Sequence, residues 1–260
     1  MRVHADGLRQ RLERPIYNPI LKCNVGEGTL DYERYLRTPE LLSLQQPGHA
    51  LVAPEELMFQ VVHQTQELWL KMVAHEAAGI VEALDHGDPW RASELLARCS
   101  RVWGVLLGSM QVLESMTPDA YQVIRRSLGN GSGQESPGYN AIRLVGEELY
   151  AALDRMLQRE GVALAEVYAE RSPCPDVKRI CEQLIDFDEG FQGWLVAHYQ
   201  LVRRTIGVNR TVRALDGVST QVLVGRMTQP LFPKLWDVRV DLTAAWNRDG
   251  GYVPGAERAK

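Results

Sequence analysis

The sequence predicts an all-α fold, a single helical bundle, and three observations carry that expectation. Apolar residues recur at three-to-four spacing through long proline-free spans. Prolines stand at the first position of four such spans, each directly behind a capping side chain. Strand-like alternation is not sustained anywhere at comparable length.

The elements follow in chain order. Pro15, Pro19, Gly26 and Gly28 make residues 1–29 an extended arm rather than a helix, leaving 30–260 as one helical domain. Thr38-Pro39-Glu40, Asp88-Pro89, Thr117-Pro118-Asp119 and Ser136-Pro137 read as helix starts. Helices are expected near 55–85, 89–115, 118–127, 137–158, 176–207 and 217–226, with a shorter one near 233–247. The first carries a stripe of Leu57, Met58, Val61, Val62, Trp69, Met72, Val73, Ile80 and Leu84; the 176–207 helix carries Val177, Ile180, Leu184, Phe187, Phe191, Trp194, Leu201 and Val202. At 1.5 Å per residue such helices make a bundle about 40 Å tall. The stretch from Gly129 to Gly138 reads as a glycine-rich loop.

Composition narrows the function class. With 260 residues, 45% of them hydrophobic and 24% charged, the chain can bury a sizeable core, which excludes disorder, collagen and a disulfide scaffold. No run of about 18 apolar residues exists, and Met1–Pro15 is charged without an apolar core, so the expected location is the cytoplasm. Net charge -4 makes a poor nucleic-acid binder. Cys23, Cys99, Cys174 and Cys181 form no C-x-x-C pair and read as reduced structural thiols. The local basic cluster is Arg203, Arg204, Arg210 and Arg213.

Two of six histidines fall where a bundle interior is expected. His198 stands four residues after Trp194 and three before Leu201, on the apolar stripe; His63 lies at the edge of a stripe, four after Phe59. Each reads either as a core histidine bonded to a carbonyl or as a functional group. A zincin motif fails because Gly79 stands four after His75, and no Glu-x-x-His pair supports a carboxylate-bridged di-iron site. Gly129, Gly131 and Gly133 follow no expected strand, which weakens a nucleotide-loop reading. Tyr121 and Arg125 share one helix face and suit either solvent or bidentate capture of a carboxylate.

Four longer patterns carry a resemblance. Phe59 to Trp69 spells F-x-x-x-H-Q-T-x-E-L-W. Met116-Thr117-Pro118, Tyr121, Arg125, Gly129, Ser132 and Gly133 spell M-T-P-x-x-Y-x-x-x-R followed by G-x-x-S-G. Phe191-Gln192, Trp194 and His198 spell F-Q-x-W-x-x-x-H, and Leu231 to Arg239 spells L-F-P-x-L-W-D-x-R. In this order, from about Leu30 to Arg239, they resemble the tryptophan 2,3-dioxygenases.

The resemblance implies a helical bundle enclosing non-covalent haem b, ferrous in its active form, with O2 as co-substrate and a tryptophan-like small molecule as substrate. It implies His198 as axial ligand of the iron and His63 as the catalytic hydrogen-bond partner of the indole N–H. It implies Phe59 as a wall of the indole pocket, Tyr121 and Arg125 as holders of the substrate carboxylate, and Ser132 with Gly133 as the loop at the haem edge, Ser132 also touching substrate. Tyr32, Tyr35 and Leu36 match a feature that reaches into a neighbouring subunit's pocket, implying a homo-oligomer, a tetramer or a dimer, with no nucleic-acid or membrane partner.

Two departures bear on the reaction. The family's G-T-G-G-T loop is replaced by Asn209–Gly217, and Met110 stands where an aromatic residue is usual, eleven before Tyr121. The expected activity is insertion of O2-derived oxygen at the indole C2–C3 bond of L-tryptophan or a substituted tryptophan. The alternatives are a monooxygenase giving a 2-oxindole or hydroxylated indole, and a non-enzymatic haem sensor or carrier. The Arg203–Arg213 cluster reads as a solvated face or as a partner of haem propionates.

Overall fold

The structure, a computed structural model, describes residues 7–8, 28–169 and 171–245. Most of the expected arm before Leu30, Cys23 included, lies outside the described residues. Backbone contacts divide the chain into two units, one ending at Pro47 and the other beginning at Gly48. In the first, α1 (Asp31–Leu36) and α2 (Thr38–Leu41) meet at Arg37, whose left-handed φ of 52° turns the chain. Tyr32 is 67% exposed and Tyr35 88%, so α1 presents its aromatic side chains to solvent.

The second unit holds α3 (Glu56–Asp85), α4 (Pro89–Leu113), α5 (Pro118–Ser127), α6 (Pro137–Glu160), α7 (Leu164–Val167), α8 (Pro175–Thr205), α9 (Val222–Met227) and α10 (Pro233–Ala245). Among the described residues there is no strand, only a single bridge between Arg213 and Ser219, so the fold is all-α. No helix among them is long and apolar enough to cross a membrane. The caps explain the starts. Asp88 Oδ1 accepts from Arg91 N–H at 2.9 Å and Ser136 Oγ from Tyr139 N–H at 3.0 Å, while Thr117 Oγ1 accepts more weakly from Ala120 N–H at 3.4 Å. At Thr38 the helix begins on the threonine itself, and no side-chain cap forms.

Four long helices build the core, α3 packing against α4 and α6, and α4 against α8. The buried line of α3 runs through Val62, Gln66, Leu70, Val73, Ala77 and Ile80. Leu57 and Val61, counted in the expected stripe, are exposed at 43% and 40%, because the buried line lies one residue round from them on the helix. Aromatic rings fill the α4–α8 seam: Trp103 meets Phe187 edge-on at 5.5 Å, and Phe191, Trp194 and His198 succeed one another along α8 at 6.2 and 6.5 Å. Gly138, at the start of α6, permits the close approach to α3; a Cβ there would lie 2.7 Å from Leu70 Cβ.

Asp188 is a fully buried carboxylate in this core. Its Oδ2 accepts from the N–H groups of Leu231 (2.9 Å) and Phe232 (3.2 Å) and from Trp236 Nε1 (2.8 Å), and its Oδ1 from Gln192 Nε2 (2.9 Å). These bonds fasten the L-F-P-x-L-W segment to α8.

One expected helix is corrected. Residues 217–221 are not helical, and α9 begins only at Val222. Gly217 adopts φ +82°, Asp216 Oδ1 accepts from Val218 N–H at 2.9 Å, and Ala214 N–H and Thr220 N–H pair with Val218 O and Val212 O. Asp-Gly turn chemistry therefore makes a small hairpin where apolar spacing suggested a helix.

Candidate functional site

A cavity of about 400 Å³ opens in the second unit, between α3, α5 and α8 and the segments 128–136 and 214–227. This volume suits a bound organic ligand. It gathers most of the expected site residues: Phe59 and His63 from α3, Tyr121 and Arg125 from α5, Ser132 and Gly133 from the loop, and His198 from α8. Tyr32, Tyr35 and Leu36 belong to the first unit, on α1.

The two histidines are held differently. His63 Nδ1 lies 2.7 Å from Phe59 O, an oxygen that only accepts, so Nδ1 carries the hydrogen and the neutral ring offers Nε2 as an acceptor. His63 is reached by water through the cavity yet surrounded by protein. Lost hydration lowers its pKa, against the Phe59 carbonyl and Glu67, which raise it. Its ring packs on Phe59 with centroids 4.1 Å apart. His198 has no protein hydrogen bond among the described residues, and its ring lies against Trp194. Half-buried by surface area because one edge faces the cavity, it is otherwise enclosed. Burial first, and His63 second, push its pKa down to about 4, so the imidazole is neutral.

Burial raises the pKa of Tyr121, with Arg125 acting in the opposite direction, so the phenol keeps its proton and can donate. Arg125 Nη2 donates to Arg213 O at 2.8 Å, which fastens the 209–220 hairpin across one side of the cavity. Ala214, Leu215, Ser219 and Thr220 of that hairpin line it. The side chains of Arg203, Arg204, Arg210 and Arg213 are exposed and none lines the cavity, so this cluster is a solvated face.

Three contributions were not legible beforehand. Glu67 accepts from Ser136 Oγ and, at 2.9 Å, from Gly138 N–H, tying the glycine-rich loop and the start of α6 to α3. Its place in the H-Q-T-x-E-L-W pattern was visible, its role was not. Gln66 donates to Ser109 Oγ and Met110 Sδ, which fixes Met110 in the cavity wall. Arg226 lines the cavity from α9, with no motif to mark it.

Fold and site together define an all-α protein with a deep, mainly apolar small-molecule site faced by two neutral imidazoles. The family model for tryptophan 2,3-dioxygenase matches residues 21–150. The chain is also 30% identical to a tryptophan 2,3-dioxygenase of Herpetosiphon aurantiacus, over 82% of this chain and 98% of that protein. It is 32% identical to one of Xanthomonas oryzae pv. oryzae, over 83% of this chain and 89% of that protein. The chain belongs to the tryptophan 2,3-dioxygenase family and is an oxidoreductase.

Proposed function

We propose that the protein uses non-covalent haem b and O2 to insert oxygen at the indole C2–C3 bond of L-tryptophan or a substituted tryptophan, such as one substituted at the β carbon. The observation that carries this reading is the gathering of Phe59, His63, Tyr121 and Arg125 around the cavity that His198 faces. A sensor or carrier needs the last of these but not the other four together.

The residues fit a haem. His198 is neutral and makes no hydrogen bond among the described residues, so its lone pair would be open to the iron of a haem. Gly133 keeps that approach uncovered, since a Cβ there would stand 3.4 Å from His198 Nε2. Among the described residues no three His, Cys, Asp or Glu side chains gather as a metal-ligand set. When bound, haem supplies the activation of O2. The chain does the rest: Phe59 walls the indole, His63 Nε2 accepts from the indole N–H, and Arg125 with the Tyr121 hydroxyl takes the carboxylate. Ser132 and Gly133 border substrate and haem edge. The exposed Tyr32, Tyr35 and Leu36 suit an arm that completes a neighbour's pocket in a homo-oligomer, a tetramer or a dimer, with 30–260 as the oxygenase domain. The unpaired Cys99, Cys174 and Cys181 accord with a reducing, cytoplasmic setting.

One observation favours a second reading, insertion of a single oxygen atom to give a 2-oxindole or hydroxylated indole. The hairpin turns Ala214 and Leu215 to the cavity, and the Thr220 hydroxyl is directed to the carbonyls of Asn209 and Val212, each at 3.5 Å. A wall of this kind would offer the substrate's amino acid group apolar side chains and a hydroxyl already directed to backbone carbonyls. Product mass spectrometry with tryptophan and a β-substituted tryptophan decides between them: two added oxygen atoms mean ring cleavage, one means the second reading. No product and no haem spectral change with any indole would overturn both.

His63→Ala is expected to keep the haem Soret band and lower kcat/KM for tryptophan about tenfold, the worth of one hydrogen bond. An indole methylated on nitrogen, which has no N–H to give, should be turned over equally by both proteins. An unchanged kcat/KM for tryptophan would refute the assignment.

A further inference from the structure

A second cavity, of about 430 Å³, adjoins the first and shares Gln134, Tyr139 and Arg226 with it as lining. It differs in character because two arginines face it. Arg143 projects from α6 and Arg226 from α9, and both guanidinium groups lie over the same ring, Tyr139, at 5.7 and 6.0 Å from its centroid; Arg143 is also 5.1 Å from that of Phe191. Both arginines are half-buried, and neither forms an ion pair among the described residues. Arg143 makes two long bonds, from Nε to Tyr139 Oη at 3.4 Å and from Nη2 to Arg226 O at 3.5 Å. A guanidinium has five N–H donors, so most of the donor capacity of the pair is unspent. Glu147, which also lines the cavity, is solvent-exposed and pairs with neither.

Two half-buried cations without a carboxylate partner are costly unless an anion joins them. The anion has to arrive with a ligand that extends through the apolar chamber beside them. Trp194, which lines that chamber and is 7% exposed, also keeps its indole N–H without an acceptor among the described residues.

We propose that Arg143 and Arg226 form the dianion site that receives the two propionate carboxylates of the haem, fixing the orientation of the macrocycle in front of His198. This rests on the haem reading above and adds the residues that set its binding strength and rotation. It also assigns to this pair the role that the Arg203–Arg213 cluster, with its exposed side chains, does not fill.

The test measures haem loss to excess apomyoglobin, followed at the Soret band, for native haem and for haem dimethyl ester, which lacks the negative charges. The unaltered protein is expected to lose the ester roughly ten- to hundredfold faster than haem, the fold-change for one or two charge-assisted bonds. Arg143→Gln with Arg226→Gln should raise the rate for haem to that of the ester and leave the ester rate unchanged, while R203Q, at an exposed arginine outside both cavities, changes neither. Equal loss of haem and ester from the unaltered protein overturns the proposal, whether or not the double variant folds. A double variant that sheds both probes faster by the same factor also overturns it, because the arginines would then act through packing. A protein that stays colourless when supplied with haem overturns the haem reading itself; a normal Soret band with equal rates overturns only the propionate site.

Discussion

His198→Ala is expected to abolish stable haem binding, leaving a folded protein without a Soret band when haem is supplied. The imidazole is neutral, its pKa pushed down to about 4 by burial and by His63, so it presents a lone pair at any physiological pH. It has no protein hydrogen bond among the described residues, and its ring contact is to Trp194. On the proposed reading, removal would therefore take little from the apo fold and the protein's bond to the iron from the haem. Loss of residues that merely orient a metal ligand costs about 10- to 100-fold in affinity, so loss of the ligand should exceed about a hundredfold. His198→Gly with added imidazole supplies a second readout: the free base should occupy the vacated space and restore the band. A native spectrum in the alanine variant would show that another side chain holds the iron, and thermal unfolding of the apo protein far below that of the parent would show that His198 is structural.

How much of this was legible beforehand depends on where each signal resides. Asp88, Thr117 and Ser136 act on N–H groups three residues away, so their helix starts could be read directly. The long helices are equally readable, yet the expected stripe of α3 is wider than the buried line, since Leu57 and Val61 sit one position off it. Residues 217–221 form no helix because the Asp216–Gly217 pair sets a turn there. In the site, His63, Tyr121, Arg125 and His198 were found through motifs, while Arg226, Gln66 and the role of Glu67 were not. Each of these three acts on residues distant in the chain: Glu67 on Gly138, Gln66 on Ser109, and Arg226 beside Tyr139. A lone arginine or glutamate on a helix has the same sequence appearance whether it faces water or a cavity, and only the packing of α3, α4, α6 and α9 distinguishes the two.

The buried Asp188 is where a single substitution should cost the most stability. Asp188→Ala is expected to lower unfolding free energy by about 3–5 kcal/mol, read from the denaturant midpoint of the apo protein. Three donors converge on Oδ2, the N–H groups of Leu231 and Phe232 and the Trp236 indole; the two backbone donors are buried with no water to turn to, while Trp236 is half-buried. Each unsatisfied buried donor costs about 1–3 kcal/mol, and a domain of this kind has about 5–15 kcal/mol in total. Asp188→Asn keeps the shape but has only one oxygen for donors on both sides, so it should lie between the parent and alanine. Asp186→Ala, two residues earlier on the exposed face, should change stability by less than about 0.5 kcal/mol. The effect should reach the site, because Leu231 lines the cavity that Arg143 and Arg226 face, and its backbone is held by Asp188. Haem loss from Asp188→Asn should therefore accelerate together with the fall in stability, whereas Arg143→Gln should accelerate loss with helicity and melting nearly unchanged. A loss of less than about 1 kcal/mol in Asp188→Ala would mean that the 231–236 segment is fastened by its apolar contacts alone, the buried carboxylate being dispensable.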